Sequence, residues 1–294
     1  MAEIRTVGVL GAGLMGHGIA QVSAQSGYEV VVREVDDATL AKGLGRIEKR
    51  LARAVERGKA SQEDADAVRG RIKGTTDYGD LAGCDLVIEA ITEDLQRKID
   101  MWREVDTIVQ PEAIFATNTS SLPVIAQAAA TRRPASFVGL HYFNPAQVMK
   151  LVEVVRAVTT SDEALETAAA FAKAQGKLAI PTRDSAGFIV NRLLVPYMLD
   201  AIRALEEGVG SVAEIDQAMQ AGAAHPMGPL TLADFVGLDT LGAISEVMFD
   251  EFRERRFAAP PTLRKMLTAG WYGRKSGTGF YDYSGDEPVP NPGL

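Results

Sequence analysis

Across residues 4–183 short apolar runs alternate with longer amphipathic segments, and from Asp184 onward that alternation stops. Runs near 4–10, 29–34, 86–91, 113–117, 136–141, 148–155 and 177–181 have the length and β-branched content of buried strands. Helical spacing fits the segments near 14–26, 36–58, 62–72, 94–109, 121–129 and 162–175. Such alternation predicts an α/β fold with a doubly wound, mainly parallel sheet, because each parallel pair needs a crossover and a helix supplies it. After residue 184 only helices are expected, near 187–207, 211–222, 228–235, 238–252 and 260–269. The reading is therefore an α/β domain over 1–183 and an all-α domain over 184–294, joined through the small and polar Thr182-Arg183-Asp184-Ser185-Ala186-Gly187. At 294 residues the chain is long enough for two separate cores. The last ten residues, with Pro288, Pro290 and Pro292, are expected to be a disordered or extended tail.

The first strand runs into Gly11-Ala12-Gly13-Leu14-Met15-Gly16, and a small-residue helix follows. A G-x-G-x-x-G triplet alone is a weak signal, but between a strand and a helix it has a physical purpose. Its glycines permit a tight turn, close backbone approach to a pyrophosphate, and tight helix–strand packing. The helix amides, with Leu14 and Met15 in the turn, then face the diphosphate. Glu34 closes the second strand 18 positions past Gly16, where an acid accepts hydrogen bonds from the adenosine ribose. Its charge repels a 2′-phosphate and favours NAD over NADP, while the neighbouring Arg33 tempers that preference. FAD is a rival for the same turn, although nothing later in the chain suggests a flavin domain.

Ser136 to Val155 holds the candidate chemistry. His141 comes straight off the end of one apolar run, and Glu153 sits inside the next, twelve residues on. Catalytic groups of open parallel sheets collect beyond the carboxyl ends of strands. An imidazole there, its tautomer fixed by a carboxylate, is a general acid/base pair in outline. A hydrogen-bonded core histidine and a structural ion pair are the bland readings of the same spacing. His17 and His225 read as structural, and Cys84 as a small buried filler. Three separated histidines and one cysteine offer no metal-ligand cluster and no intramolecular disulfide. A formal charge of −8 argues against nucleic acid or an anionic membrane as the main partner. No apolar run reaches the ~18 residues of a membrane span, and no charged-then-apolar leader opens the chain. A cytoplasmic protein is expected.

With the glycine turn, Asn118-Thr119-Ser120-Ser121, His141-Tyr142-Phe143-Asn144-Pro145 and Gly187-Phe188-Ile189-Val190-Asn191-Arg192 in this order, the chain resembles the L-3-hydroxyacyl-CoA dehydrogenases. The likeness runs from Gly8 to Tyr283, and the stretch Asp184 to Pro196 is its most family-specific part. It implies a Rossmann-type NAD-binding domain and a helical domain that binds substrate and dimerises. It implies His141 as catalytic base, Glu153 as its partner, and Ser120 and Asn191 at the reacting part of an acyl-CoA thioester. Glu93, Lys98, Ser120, Asn144 and Lys275 match positions facing the cofactor. Arg53 and Arg57 stand where relatives often carry lysines that meet the CoA phosphates. Glu34 replaces a more usual Asp, Tyr142 a Phe, and Ala186 a frequent Pro.

Several alternatives stay open on sequence alone. Ser120 and Asn191 are also natural cap or turn residues. The basic face Arg46, Lys49, Arg50, Arg53, Arg57 is also a normal solvated helix face. A hydroxyisobutyrate-type enzyme needs a lysine on the helix that begins at Gly187, and none occurs through Glu207. A dehydrogenase of a free, gulonate-type hydroxy acid and a non-catalytic NAD-binding protein share the fold. Residues 193–205 and 228–249 carry enough apolar side chains to suggest a homodimer through the helical domain.

Overall fold

A computed structural model describes residues 3–294, which divide into two compact units that meet in sequence at Ser185 and Ala186. The first unit runs β1 (Thr6–Leu10), α1 (Gly16–Gln25), β2 (Glu29–Arg33), α2 (Asp37–Glu56), α3 (Gln62–Gly70), β3 (Ile72–Thr75), β4 (Leu86–Glu89), α4 (Leu95–Ile108), β5 (Ile114–Thr117), α5 (Val124–Ala128), β6 (Phe137–Tyr142), β7 (Leu151–Arg156), α6 (Asp162–Ala174) and β8 (Leu178–Arg183). Its eight strands lie in the order β3-β2-β1-β4-β5-β6-β7-β8. The strand order reverses between β1 and β4, the crevice where doubly wound sheets bind nucleotides. β1, β4 and β5 are almost wholly buried because helices cover both faces, which is why they read as continuous apolar runs.

Local chemistry sets the helix starts. The Asp36 side chain accepts from Thr39 N ahead of α2, and Ser61 and Asp64 form a capping box ahead of α3. α2 buries Leu40, Gly43, Ile47 and Leu51 on one face and leaves its basic side chains on the other. Asp184 accepts from Val124 N (3.1 Å) and Ile125 N (2.7 Å) at the start of α5, which ties it to the first unit.

Two features differ from the sequence reading. β3 is an unexpected strand that begins where the helix expected near 62–72 ends, since Ile-Lys-Gly-Thr at a sheet edge has no apolar run to announce it. β7 starts at Leu151, and Val148 and Met149 stay exposed in the loop before it.

The second unit contains α7 (Val190–Glu206), α8 (Val212–Ala223), α9 (Pro229–Val236), α10 (Leu238–Phe252), α11 (Pro261–Thr268), β9 (Tyr281–Asp282) and β10 (Val289–Pro290). Most apolar residues of 193–205 and 228–249 fill this unit's own core, among them Met198, Leu199, Ile202, Leu230, Leu241 and Met248. Of the two forms expected for the last ten residues, the extended one is found, and it is anchored: Val289 and Pro290 pair antiparallel with β9, and Asn291 is buried and donates to Gly279 O at 2.8 Å. Proline is acceptable there because the ladder is two residues long and lies at an edge. Two buried carboxylates that the sequence reading did not single out hold this segment. Asp234 accepts from Phe280 N, Tyr281 N and Tyr283 OH, each at 2.9 Å. Asp216 accepts from Leu230 N (2.8 Å), Thr231 N (2.9 Å) and Tyr281 OH (2.9 Å). Among the described residues, no helix is long and apolar enough to cross a membrane.

Candidate active site

The glycine turn leaves β1 at the strand-order reversal. Gly11 has φ +91°, and a Cβ there would sit 2.7 Å from Ala90 O. A Cβ at Gly16 would overlap Gly11 O, at 1.7 Å. Gly13 differs: its Cβ would meet nothing within 4 Å. Two glycines thus close the turn and the third leaves an open side, the cradle a pyrophosphate requires. Leu14 is exposed, Met15 precedes α1, and α1 has no acidic residue in its first turn to compete with an anion. The Glu34 carboxylate accepts from Ala12 N (2.7 Å) and Val35 N (3.0 Å), which fixes it against the turn. Arg33 lies flat over the Tyr78 ring at 3.6 Å. These residues fit a dinucleotide with a free 2′-hydroxyl.

At the end of β6 the sheet supplies a second group. β6 and β7 are antiparallel and place His141 directly opposite Glu153. His141 Nδ1 is 2.6 Å from Glu153 Oε2, and both residues are buried. The short bond with Nδ1 donating leaves Nε2 as the basic nitrogen. The Phe143 ring packs on the imidazole at 4.5 Å. Tyr142 points to the other face, where its hydroxyl donates to Gln175 Oε1 (2.7 Å) and Gln175 Nε2 donates to Ser23 Oγ (2.9 Å). Burial pushes the Tyr142 hydroxyl above its ordinary range. That polar relay accommodates the tyrosine hydroxyl inside the core. Asn144 is exposed in the loop that follows.

Between the turn and the histidine lies a buried charge network. Glu93 Oε1 accepts from Ser120 N (3.0 Å) and from the Thr119 hydroxyl. Lys98 is 1% exposed, with Nζ 2.5 Å from Glu89 Oε1 and 3.1 Å from Glu93 Oε2. Glu89 also accepts from Thr117 Oγ1 (2.6 Å) and Ile91 N (2.7 Å). Burial opposes the Glu93 charge, but Lys98 and the Thr119 and Ser120 donors outweigh it and hold that carboxyl below its usual range. At Glu89 the same burial prevails and raises the carboxyl against the pull of Lys98. Asn118 Oδ1 accepts from Tyr142 N (2.9 Å), so the Asn118–Ser120 segment is tied to the end of β6 beside His141. Sequence reasoning singled out Glu93, Lys98 and Ser120 and missed Glu89. Its only signal is one acid closing an otherwise apolar strand.

Arg53 on α2 and Arg57 at its C-cap are exposed, and among the described residues neither guanidinium meets a carboxylate. In the second unit, Asn191 lies in the first turn of α7, after Gly187 (φ +78°) and Phe188 (φ +47°). Lys275 pairs with Asp239 of its own unit. His17 and His225 have structural partners, at 2.6 Å from Gly13 O and 2.9 Å from Tyr197 OH.

An open glycine cradle at the strand-order reversal, an acid closing β2 and a histidine–carboxylate pair at the end of β6 form the layout of a dinucleotide-dependent dehydrogenase. Comparison with known proteins narrows the class. Residues 6–185 match the family "3-hydroxyacyl-CoA dehydrogenase, NAD binding domain", and residues 187–283 match its C-terminal domain. The chain belongs to the 3-hydroxyacyl-CoA dehydrogenase family. It is 48% identical over 282 residues to a 3-hydroxybutyryl-CoA dehydrogenase of Mycobacterium tuberculosis, covering 95% of this chain and 99% of the relative. It is 42% identical to the human mitochondrial hydroxyacyl-coenzyme A dehydrogenase, covering 95% and 91% of the two chains. The crystal structure of a Ralstonia eutropha (S)-3-hydroxybutyryl-CoA dehydrogenase superposes with a TM-score of 0.93 at 43% identity, covering 96% of this chain and all of that one.

Proposed function

We propose that this protein interconverts (S)-3-hydroxyacyl-CoA and 3-ketoacyl-CoA thioesters, 3-hydroxybutyryl-CoA and acetoacetyl-CoA first among them, by hydride exchange with NAD(H). The observation that carries the reading is the His141–Glu153 pair at the end of β6, on the sheet whose β1 turn has an open face at Gly13. Bound NAD supplies the hydride acceptor. His141 Nε2 takes the 3-hydroxyl proton as the C3 hydride departs, and returns it to the forming alkoxide in the reverse direction. Glu153 holds the ring in the tautomer that presents Nε2 and offsets the positive charge the ring acquires. Ser120, with its backbone fixed by Glu93, and Asn191 orient the hydroxyl and thioester oxygens so that C3 lies at hydride distance. Glu93, Lys98, Asn144 and Lys275 belong to the nicotinamide side in this reading, and Arg53 and Arg57 to the CoA phosphates. A series of kcat/KM values with 3-ketoacyl-CoAs of increasing length and the matching free acids tests the assignment. The CoA thioesters are expected to be turned over far faster; preference for a free acid would overturn it.

Cofactor choice is a separate test. In this reading Glu34, held against the glycine turn by Ala12 N, faces the adenosine ribose and would repel a 2′-phosphate, while Arg33 lies over the Tyr78 ring. Glu34→Ser should raise the NADPH/NADH ratio of kcat/KM by about tenfold or more, since ~1.4 kcal/mol of relieved repulsion is a factor of ten. A wild-type enzyme that already prefers NADPH would refute this role for Glu34.

We further propose that the protein works in the cytoplasm as a homodimer paired through its helical unit. Leu193 and Phe235 remain 69% and 52% exposed after that unit's core is filled, an apolar surface suited to an isologous contact. Light scattering at micromolar concentration should give a dimer mass; a monomer mass would remove this assignment.

A further inference from the structure

Glu89 has no part in the chemistry above, yet it is fully buried at the most constrained point of the sheet. It closes β4 in register with Leu10 on one side and Thr117 on the other. The next residue, Ala90, donates from its amide to Leu10 O at 2.8 Å and presses its carbonyl against Gly11. Glu89 is therefore adjacent to the dinucleotide turn. His141 lies two strands away, at the end of β6. On the site reading given above, a dinucleotide with its diphosphate at the turn and its reacting ring near His141 must cross the ends of β4 and β5. Under that path lie Glu89, Lys98 and Glu93, two carboxylates sharing one ammonium.

Every neighbour bonded to Glu89 is a donor. Lys98 brings an ammonium and Ile91 an amide, and the Thr117 hydroxyl, which itself accepts from Thr119 N at 3.2 Å, turns its proton to the carboxylate. Burial works against the ionised form of Glu89, and these three donors, the Lys98 ammonium first among them, work for it. The nearby Asp94 carboxylate is offset by Arg97, and both are exposed and screened. With Glu89 ionised the trio carries one excess negative charge, buried at Glu89 and Lys98 and partly open at Glu93. The nicotinamide ring is cationic when oxidised and neutral when reduced, so such a charge distinguishes the two forms.

We propose that Glu89 is a positioning and charge-setting residue, which leaves the Glu89–Lys98–Glu93 trio net negative and so favours binding of NAD⁺ relative to NADH. Lys98 alone with Glu93 would be a neutral pair; Glu89 supplies the excess. Glu89→Gln can keep the same contacts, with its amide oxygen accepting from Lys98 and Ile91 and its amide nitrogen donating to Thr117.

The test is the ratio of Kd for NAD⁺ to Kd for NADH, measured by binding titration on the dimer or monomer as it exists, without substrate. Glu89→Gln should raise that ratio roughly tenfold, almost all of it from weaker NAD⁺ binding. The double variant Glu89→Gln/Lys98→Gln restores a net charge of −1 through Glu93 and should return the ratio toward the wild-type value. An unchanged ratio in the single variant, or no recovery in the double, would overturn the proposal. If Glu89→Gln does not fold, Glu93→Gln removes the same charge from a more exposed position and must shift the ratio in the same direction. Failure of the wild-type protein to bind either nucleotide would instead refute the cofactor reading on which this inference rests.

Discussion

Replacing His141 with alanine is expected to lower kcat at least ~10²-fold, the usual scale for loss of a positioned acid/base group, while NADH affinity stays nearly intact. The imidazole stands at the end of β6, three strands from the glycine turn, so its loss removes proton transfer without touching the diphosphate cradle. Glu153→Ala should follow the same pattern. Without the carboxylate the ring loses the partner that fixes its tautomer and offsets its charge, and a buried imidazole has no solvent to replace it. Steady-state kinetics with acetoacetyl-CoA, alongside NADH titration, check both variants. Near wild-type turnover in a folded His141→Ala enzyme would refute the acid/base assignment.

The second large effect is expected at the CoA end. Arg53 and Arg57 are four residues apart, share one helical face, and are exposed, with no carboxylate partner among the described residues. Both remain cationic at any working pH, and each charge-assisted contact to phosphate contributes roughly 1.5–3 kcal/mol when desolvated and less when exposed. Changing both to alanine should therefore raise KM for acetoacetyl-CoA about tenfold or more. KM for NADH and activity on a truncated pantetheine thioester should change little, because neither meets the nucleotide phosphates of CoA. Added salt should weaken substrate binding to the wild-type enzyme more than to the double variant. An unmoved KM for the full CoA thioester would make these arginines an ordinary solvated face.

The α/β unit was legible because its strands are buried on both faces and read as continuous apolar runs between helical periods. β3 was not, since Ile72-Lys73-Gly74-Thr75 is a half-buried edge strand whose character comes from pairing with β2. The sense of β7 was hidden for a related reason. Direction in a sheet depends on the connection, and the turn containing Asn144 and Pro145 returns the chain antiparallel to β6. That reversal puts His141 opposite Glu153, so twelve residues of sequence separation become one cross-strand pair.

In the site, motif order brought out Glu93, Lys98 and Ser120, but no spacing rule connects Glu89 to Lys98. Their ion pair forms because the end of β4 and the start of α4 converge, a tertiary fact. For the C-terminal segment composition suggested a disordered or extended tail; it is extended at Val289–Pro290, and what composition could not show is its anchoring, by pairing with β9 and by Asn291 donating to Gly279 O. The apolar residues taken as surplus for a dimer interface mostly pack into the helical unit itself, which leaves a smaller exposed set than composition implied.

The central claim is that hydride passes between NAD(H) and C3 of a CoA thioester under the control of His141. Its most direct measurement is a turnover of acetoacetyl-CoA with NADH deuterated at C4 of the nicotinamide, followed by mass and chiral analysis of the product. The account predicts deuterium at C3 of (S)-3-hydroxybutyryl-CoA from the wild-type enzyme, and at least ~10²-fold slower labelling from His141→Ala. Unlabelled product, no product, or equal labelling rates in the two enzymes would contradict it.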